Sequence, residues 1–316
     1  MAKVKVKEID TRNFEISQPL LSLCLIVSYL CPMKKVAVIG AGTMGSGIAQ
    51  VFAMAGFETI VYDLQTAAIE RAEAAIEKNL AKAVQIGKLD EGAKQETRDR
   101  LTYTTVFADL KADFIIEAIL EKLDLKIDLF TRLAAQNETT SIFATNTSSI
   151  PITQIAAGVP HPERVVGVHF FNPAHIMKLV EIISGAQTDD EVAQKCYDLI
   201  KSIGKTPVMA KDAPGFIVNR VARHFYVEGL KTLEEGVANH EQIDGLMENI
   251  GFKMGPFRLM DLIGVDTNFS VTSSMYALFH QDAKFRPSRI QQQKVDAGHH
   301  GRKSGRGFYR YDQEHK

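Results

Sequence analysis

The chain has 316 residues, of which 45% are hydrophobic and 24% charged, with a formal net charge of −1 at pH 7. That length fits about two domains, and the near-neutral balance excludes a global basic field for holding nucleic acid. The three cysteines, Cys24, Cys31 and Cys196, lack metal-ligand spacing and are too few for a disulfide framework, so no metal centre is expected.

Residues 1–32 read differently from the rest. Lys3, Lys5 and Lys7 precede an apolar run from Leu20 to Cys31, which resembles a signal peptide in outline. Glu8 and Asp10 interrupt the basic start, however, and no small-x-small site precedes Met33. The run is also shorter than the roughly 20 residues that span a bilayer. We therefore expect 1–32 to be an extraneous or disordered leader, and expect no membrane partner.

From Lys34 the pattern changes. Val36 to Ile39 is a short β-branched run suited to a strand buried on both faces. Gly40, Gly42 and Gly45 follow in G-x-G-x-x-G spacing, and Ile48 to Met54 has helical character up to Gly56. Glycines there permit a tight turn, a close backbone approach to a pyrophosphate and close helix packing, while the helix N-terminus offers free N–H groups to an anion. A second strand, Glu58 to Tyr62, ends at Asp63, where a carboxylate can hold a ribose diol and repel a 2′-phosphate. No arginine occurs in Leu64-Gln65-Thr66, so the cofactor expected is NAD rather than NADP. With the cysteine usage this favours the cytoplasm.

Ala67 to Gly87 reads as a long helix, and Leu89 to Arg100 as a more polar helical excursion. Lys78, Lys82, Lys88 and Lys94 lie on this stretch, and the residues alone suggest a solvated face. Strand–helix alternation resumes at Phe114 to Ala118 and continues through Leu123–Ala135, Ser141–Thr145, Val165–Phe170, Leu179–Ser184, Asp189–Ile203 and Pro207–Ala210. The pattern implies a Rossmann-type, mostly parallel sheet with helices on both faces. Beyond Ala213/Pro214 only helices are expected: Phe216–Ala238, Glu241–Asn249, Leu259–Ile263, Val265–His280 and Ile290–Ala297. This divides the body into a nucleotide-binding α/β domain, 33–213, and an all-α C-terminal domain, 214–316.

Three polar clusters fall at strand ends, where parallel α/β sheets bind ligands: Glu117–Glu121, Asn146–Ser149 and His169–Asn172. His169 closes the apolar run Val165–Val168. A histidine there can exchange protons with a substrate hydroxyl, or can be a packing residue. Glu181 follows a short loop later, near enough for the chain to double back and orient the imidazole.

Taken together, Ile39-Gly40-Ala41-Gly42-Thr43-Met44-Gly45, Asn146-Thr147-Ser148-Ser149, His169-Phe170-Phe171-Asn172-Pro173 and Met177-Lys178-Leu179-Val180-Glu181 resemble the L-3-hydroxyacyl-CoA dehydrogenase family. Pro214-Gly215-Phe216-Ile217-Val218-Asn219-Arg220, Met254-Gly255-Pro256-Phe257 and Gly301-Arg302-Lys303-Ser304-Gly305-Arg306-Gly307-Phe308-Tyr309 carry the resemblance to the end, and bacterial 3-hydroxybutyryl-CoA dehydrogenases are the most similar members. The resemblance implies an acyl-CoA substrate, with His169 as general acid/base, Glu181 as its partner, and Ser148 and Asn219 holding the reacting oxygen and thioester region. It implies NAD binding by Gly40, Ala41, Gly42, Thr43, Met44, Gly45, Asp63, Ala118, Glu121, Lys126, Ser148, Asn172 and Lys303, CoA contact by Lys82 or Lys88, and a homodimer through the helical domain. Free hydroxy acids, sugar acids and dicarboxylic 3-hydroxyacyl-CoAs stay open as alternative substrates. His175, Ile176, Lys122 and Arg258 depart from the family's pattern without touching the implied catalytic set.

Overall fold

The computed structural model describes residues 33–311, so the leader expected over 1–32 lies outside the described residues. An eight-stranded sheet runs in the order β3-β2-β1-β4-β5-β6-β7-β8. Its strands are β1 (Lys35–Ile39), β2 (Glu58–Tyr62), β3 (Leu101–Thr104), β4 (Phe114–Glu117), β5 (Ile142–Thr145), β6 (Val165–Phe170), β7 (Leu179–Ser184) and β8 (Thr206–Lys211). All neighbours pair in parallel except β6 and β7, where the chain doubles back. β1, β4, β5 and β6 are buried almost throughout, because helices cover both sheet faces.

Those helices are α1 (Thr43–Met54), α2 (Thr66–Gln85), α3 (Glu91–Asp99), α4 (Leu123–Gln136), α5 (Ile152–Ala156) and α6 (Asp190–Ser202). The excursion after Asp63 is thus two helices. Asp90 separates them and caps α3 by accepting from Ala93 N at 2.7 Å. β3 was not expected: Leu101-Thr102-Tyr103-Thr104 is a short, partly exposed edge strand without an apolar run. On one sheet face Ile39, Ile60, Ile115, Phe143 and Ile183 pack with Phe130 and Leu133 of α4.

The C-terminal part comprises α7 (Val218–Glu234), α8 (His240–Asn249), α9 (Pro256–Ile263), α10 (Val265–Leu278) and α11 (Arg289–Asp296). Tyr226, Leu230, Phe257, Met260, Val265 and Phe308 form its core. The final turn, 301–311, is clipped to this core by a buried carboxylate. Asp261 accepts from Phe308 N and Tyr309 N, both at 2.9 Å, and from the Tyr311 hydroxyl at 3.0 Å. A Cβ on Gly307 would lie 2.0 Å from Asp261 Oδ1, which explains a glycine at that place in the terminal motif. α7 begins two residues later than expected, at Val218, and Phe216 just before it takes a left-handed φ of 48°.

Candidate active site

The glycine-rich turn lies between β1 and α1. A Cβ on Gly45 would sit 1.7 Å from Gly40 O, so the helix can approach the strand only with glycine there. Gly42 has nothing within 4 Å of its Cβ direction, and it caps α1 without a side-chain bond or an acidic first turn. The N–H groups at this helix start therefore face a space suited to an anion. Asp63 Oδ2 accepts from Ala41 N at 2.9 Å and Oδ1 from Gln65 N at 3.0 Å, fixing the carboxylate beside the loop. Gly40–Thr43, Asp63 and Ala118 line one cavity of about 760 Å³, large enough for a substantial part of a dinucleotide. An uncapped helix start, an open backbone and a fixed carboxylate suit NAD.

β4 ends in a buried charge network. Glu117 is fully buried and Lys126 is 1% exposed, and Lys126 Nζ lies 2.7 and 2.8 Å from the two Glu117 oxygens. The Thr145 hydroxyl also bonds Glu117. Lys126 Nζ also reaches Glu121 Oε2 at 3.3 Å, so one buried ammonium bridges both carboxylates. Glu121 Oε1 in turn accepts from the Thr147 hydroxyl, Ser148 N at 3.1 Å, Ser149 N at 3.2 Å and the Ser149 hydroxyl at 2.9 Å. Burial pushes the Glu121 carboxyl up, but Lys126 and these donors outweigh it and hold the group below its ordinary range. Glu121, Ser148 and Asp266 line a second cavity of about 860 Å³, between the loop after β5 and α10.

The antiparallel step puts His169 directly opposite Glu181. His169 Nδ1 lies 2.8 Å from Glu181 Oε2, with the histidine 6% and the glutamate 1% exposed. An ionised carboxylate can only accept, so this bond places the proton on Nδ1 and leaves Nε2 for exchange. Phe171 and Phe216 flank the ring, with centroids 4.6 and 5.7 Å away. Glu181 Oε1 accepts from Ile217 N and Val218 N, each at 2.9 Å, at the start of α7. Burial pushes Glu181 up, but His169 and these two amides hold it below the usual carboxylate range. One side chain thus ties the dyad to the helix that carries Asn219 in its first turn.

The remaining expected residues are dispersed. His169, Asn172, Asn219, Lys82 and Lys303 line neither cavity. Lys82 is exposed on α2, while Lys94 is held by Glu77 at 2.8 Å. Lys303 donates to Asp266 at 2.7 Å. Asp266 did not emerge from the sequence, since nothing local links it to a lysine in the last turn. Neither did the brace at Asn146, whose Oδ1 accepts from Phe170 N at 2.8 Å and pins the strand end beside His169. Among the described residues no group of three or more His, Cys, Asp or Glu could hold a metal, and no helix is long and apolar enough to cross a membrane.

Comparison with known proteins agrees with this fold. Residues 35–213 match the 3-hydroxyacyl-CoA dehydrogenase NAD-binding domain and residues 215–311 its C-terminal domain. The 3-hydroxyadipyl-CoA dehydrogenase of Escherichia coli K12 is 48% identical over 279 residues, 88% of this chain; the chain spans only 59% of that relative's length. A probable 3-hydroxybutyryl-CoA dehydrogenase from Deinococcus radiodurans is 42% identical over 88% of this chain and 100% of its own. The crystal structure of (S)-3-hydroxybutyryl-CoA dehydrogenase from Ralstonia eutropha superimposes with a TM-score of 0.85 at 38% identity, covering 89% of this chain and 100% of that one. The chain belongs to the 3-hydroxyacyl-CoA dehydrogenase family and is an NAD-dependent oxidoreductase of the hydroxyacyl-CoA dehydrogenase type.

Proposed function

We propose that the protein interconverts (S)-3-hydroxyacyl-CoA and 3-oxoacyl-CoA, with short acyl chains such as 3-hydroxybutyryl as substrates. The observation that carries this reading is the His169–Glu181 pair, opposed across antiparallel strands with Nδ1 and Oε2 2.8 Å apart. Bound NAD supplies hydride transfer at the carbinol carbon. His169 takes the hydroxyl proton through Nε2 in oxidation and returns it in reduction. Glu181 keeps the ring in one tautomer and stabilises its charged form. Ser148 and Asn219 hold the reacting oxygen and the thioester region, and Lys82 contacts the CoA phosphates. Gly40–Gly45, Asp63, Ala118, Glu121, Asn172 and Lys303 bind NAD, with Lys126 acting through Glu121.

The protein works as a cytoplasmic homodimer joined through the helical domain. Kinship with the 3-hydroxyadipyl-CoA dehydrogenase at 48% identity supports a second reading, a dicarboxylic 3-hydroxyacyl-CoA. NADH oxidation measured with acetoacetyl-CoA, 3-oxoadipyl-CoA and free acetoacetate tests both. Turnover with either thioester and none with acetoacetate is expected, and the better thioester decides between the readings. Equal turnover with free acetoacetate would overturn the CoA assignment.

A further inference from the structure

Asp63 is followed by no nearby arginine in sequence, yet the fold brings two to the same cavity. Arg71 from α2 and Arg132 from α4 line it together with Asp63, Tyr62 and Phe107. The Arg132 guanidinium lies 4.1 Å from the Phe107 ring centroid, and Phe107 meets Tyr62 edge-on at 6.0 Å. Among the described residues Arg132 has one ion pair, with Asp128 at 3.6 Å, and both side chains are more than half exposed. Such an exposed, solvent-screened pair holds the guanidinium weakly and leaves it available. Arg71 forms no ion pair among the described residues. Burial raises the Tyr62 phenol, Arg132 opposes the rise and Asp63 adds to it, so opposite charges bear on one ring. Asp63 cannot swing aside easily, because each of its oxygens is held by a backbone amide.

We infer that Arg71 and Arg132 form a latent subsite for the 2′-phosphate of NADP-type nucleotides, and that Asp63 is the single group blocking it. The inference rests on the reading that the dinucleotide occupies the cavity beside the glycine-rich turn. Guanidinium forks bind phosphate dianions through charge-assisted bonds, whereas a fixed carboxylate beside the ribose repels them. Cofactor choice is then a contest between one anion and two cations, not the absence of a phosphate site.

The test is direct binding, by calorimetry, of NADH, NADPH, 5′-AMP and 2′,5′-ADP. The proteins are the wild type, Asp63→Ser, the isosteric Asp63→Asn, and each neutral background carrying Arg71→Gln with Arg132→Gln. Either neutral variant should raise the NADPH-to-NADH affinity ratio about 10- to 100-fold, the scale of one or two charge-assisted hydrogen bonds. The ratio for 2′,5′-ADP over 5′-AMP should rise in parallel. Replacing both arginines should abolish the rise while NADH binding persists. An undiminished rise without the arginines, or no rise in neutral variants that still bind NADH, would overturn the subsite. Wild-type protein that bound no NADH would instead overturn the cofactor reading, and the subsite with it.

Discussion

Two fully buried carboxylates on one sheet are neutralised in different ways. Glu117 faces Lys126, whose ammonium contacts both of its oxygens. Glu181 faces His169 with one oxygen and two helix-start amides with the other. The Lys126 ammonium is taken up by Glu117 and by its ion pair with Glu121, so this pair is structural. The imidazole spends only Nδ1 on Glu181 and keeps Nε2 for proton exchange. The first pair extends to Glu121; the second can do chemistry. Buried charge alone therefore does not mark a candidate reactive site; a partner with a nitrogen left over for substrate does.

Breaking each pair separates the two roles. His169→Gln keeps size and hydrogen-bonding capacity but removes proton exchange, so turnover should fall about 10²- to 10⁴-fold with NADH affinity retained. Steady-state kinetics and NADH titration on the same preparation check this. A lowered melting temperature with intact turnover would instead make His169 a packing residue.

Lys126→Met should act on stability. It strands Glu117 as an uncompensated buried charge, a change that costs about 3–5 kcal/mol. Denaturant unfolding measures it, and a loss under about 1 kcal/mol would show that the network carries little stability.

The acid limb of stability sharpens the contrast. Burial opposes the ionised form of Glu181, but its hydrogen bonds win and its pKa is lowered from the ordinary 4.5. A group lowered on folding contributes stability above its unfolded value and loses it as the pH falls through its folded value. The stability gap between wild type and Glu181→Gln should therefore be full above pH 4.5 and fade below it, as thermal melts across pH would record. A gap constant down to acid pH would contradict the linkage.

His175→Gln should have the smallest effect. Burial, aided by Lys205, lowers the pKa of His175, so its imidazole is neutral at pH 7 and contributes no charge to the dyad. Turnover within about twofold of wild type is expected across the pH profile, a difference well below 1.4 kcal/mol.

Much of this was legible from residues. The β1 run, the glycines and Asp63 announce the nucleotide turn because strand, turn and helix each have a local signature. The strand patterns likewise placed His169 near the end of β6 and Ser148 in the loop after β5. Other features depend on distant partners. β3 escaped notice because a four-residue edge strand needs no apolar run. The link from Glu181 to the start of α7 joins residues 36 positions apart, so no spacing rule reveals it. Lys126 did leave a signal: it precedes Leu129, Phe130 and Leu133 at helical spacing, on the buried stripe of α4. A lysine in that stripe requires a buried acid, and Glu117 is that acid.

The proposed function requires that His169 and Glu181 act as one unit in proton transfer. The turnover of the His169→Gln/Glu181→Gln double variant, set against both single variants, tests it most directly. Groups acting together are non-additive, so the double variant should be far less impaired than the product of the single defects, close to His169→Gln alone. A double variant as slow as that product would show that the two side chains act independently and would contradict the dyad.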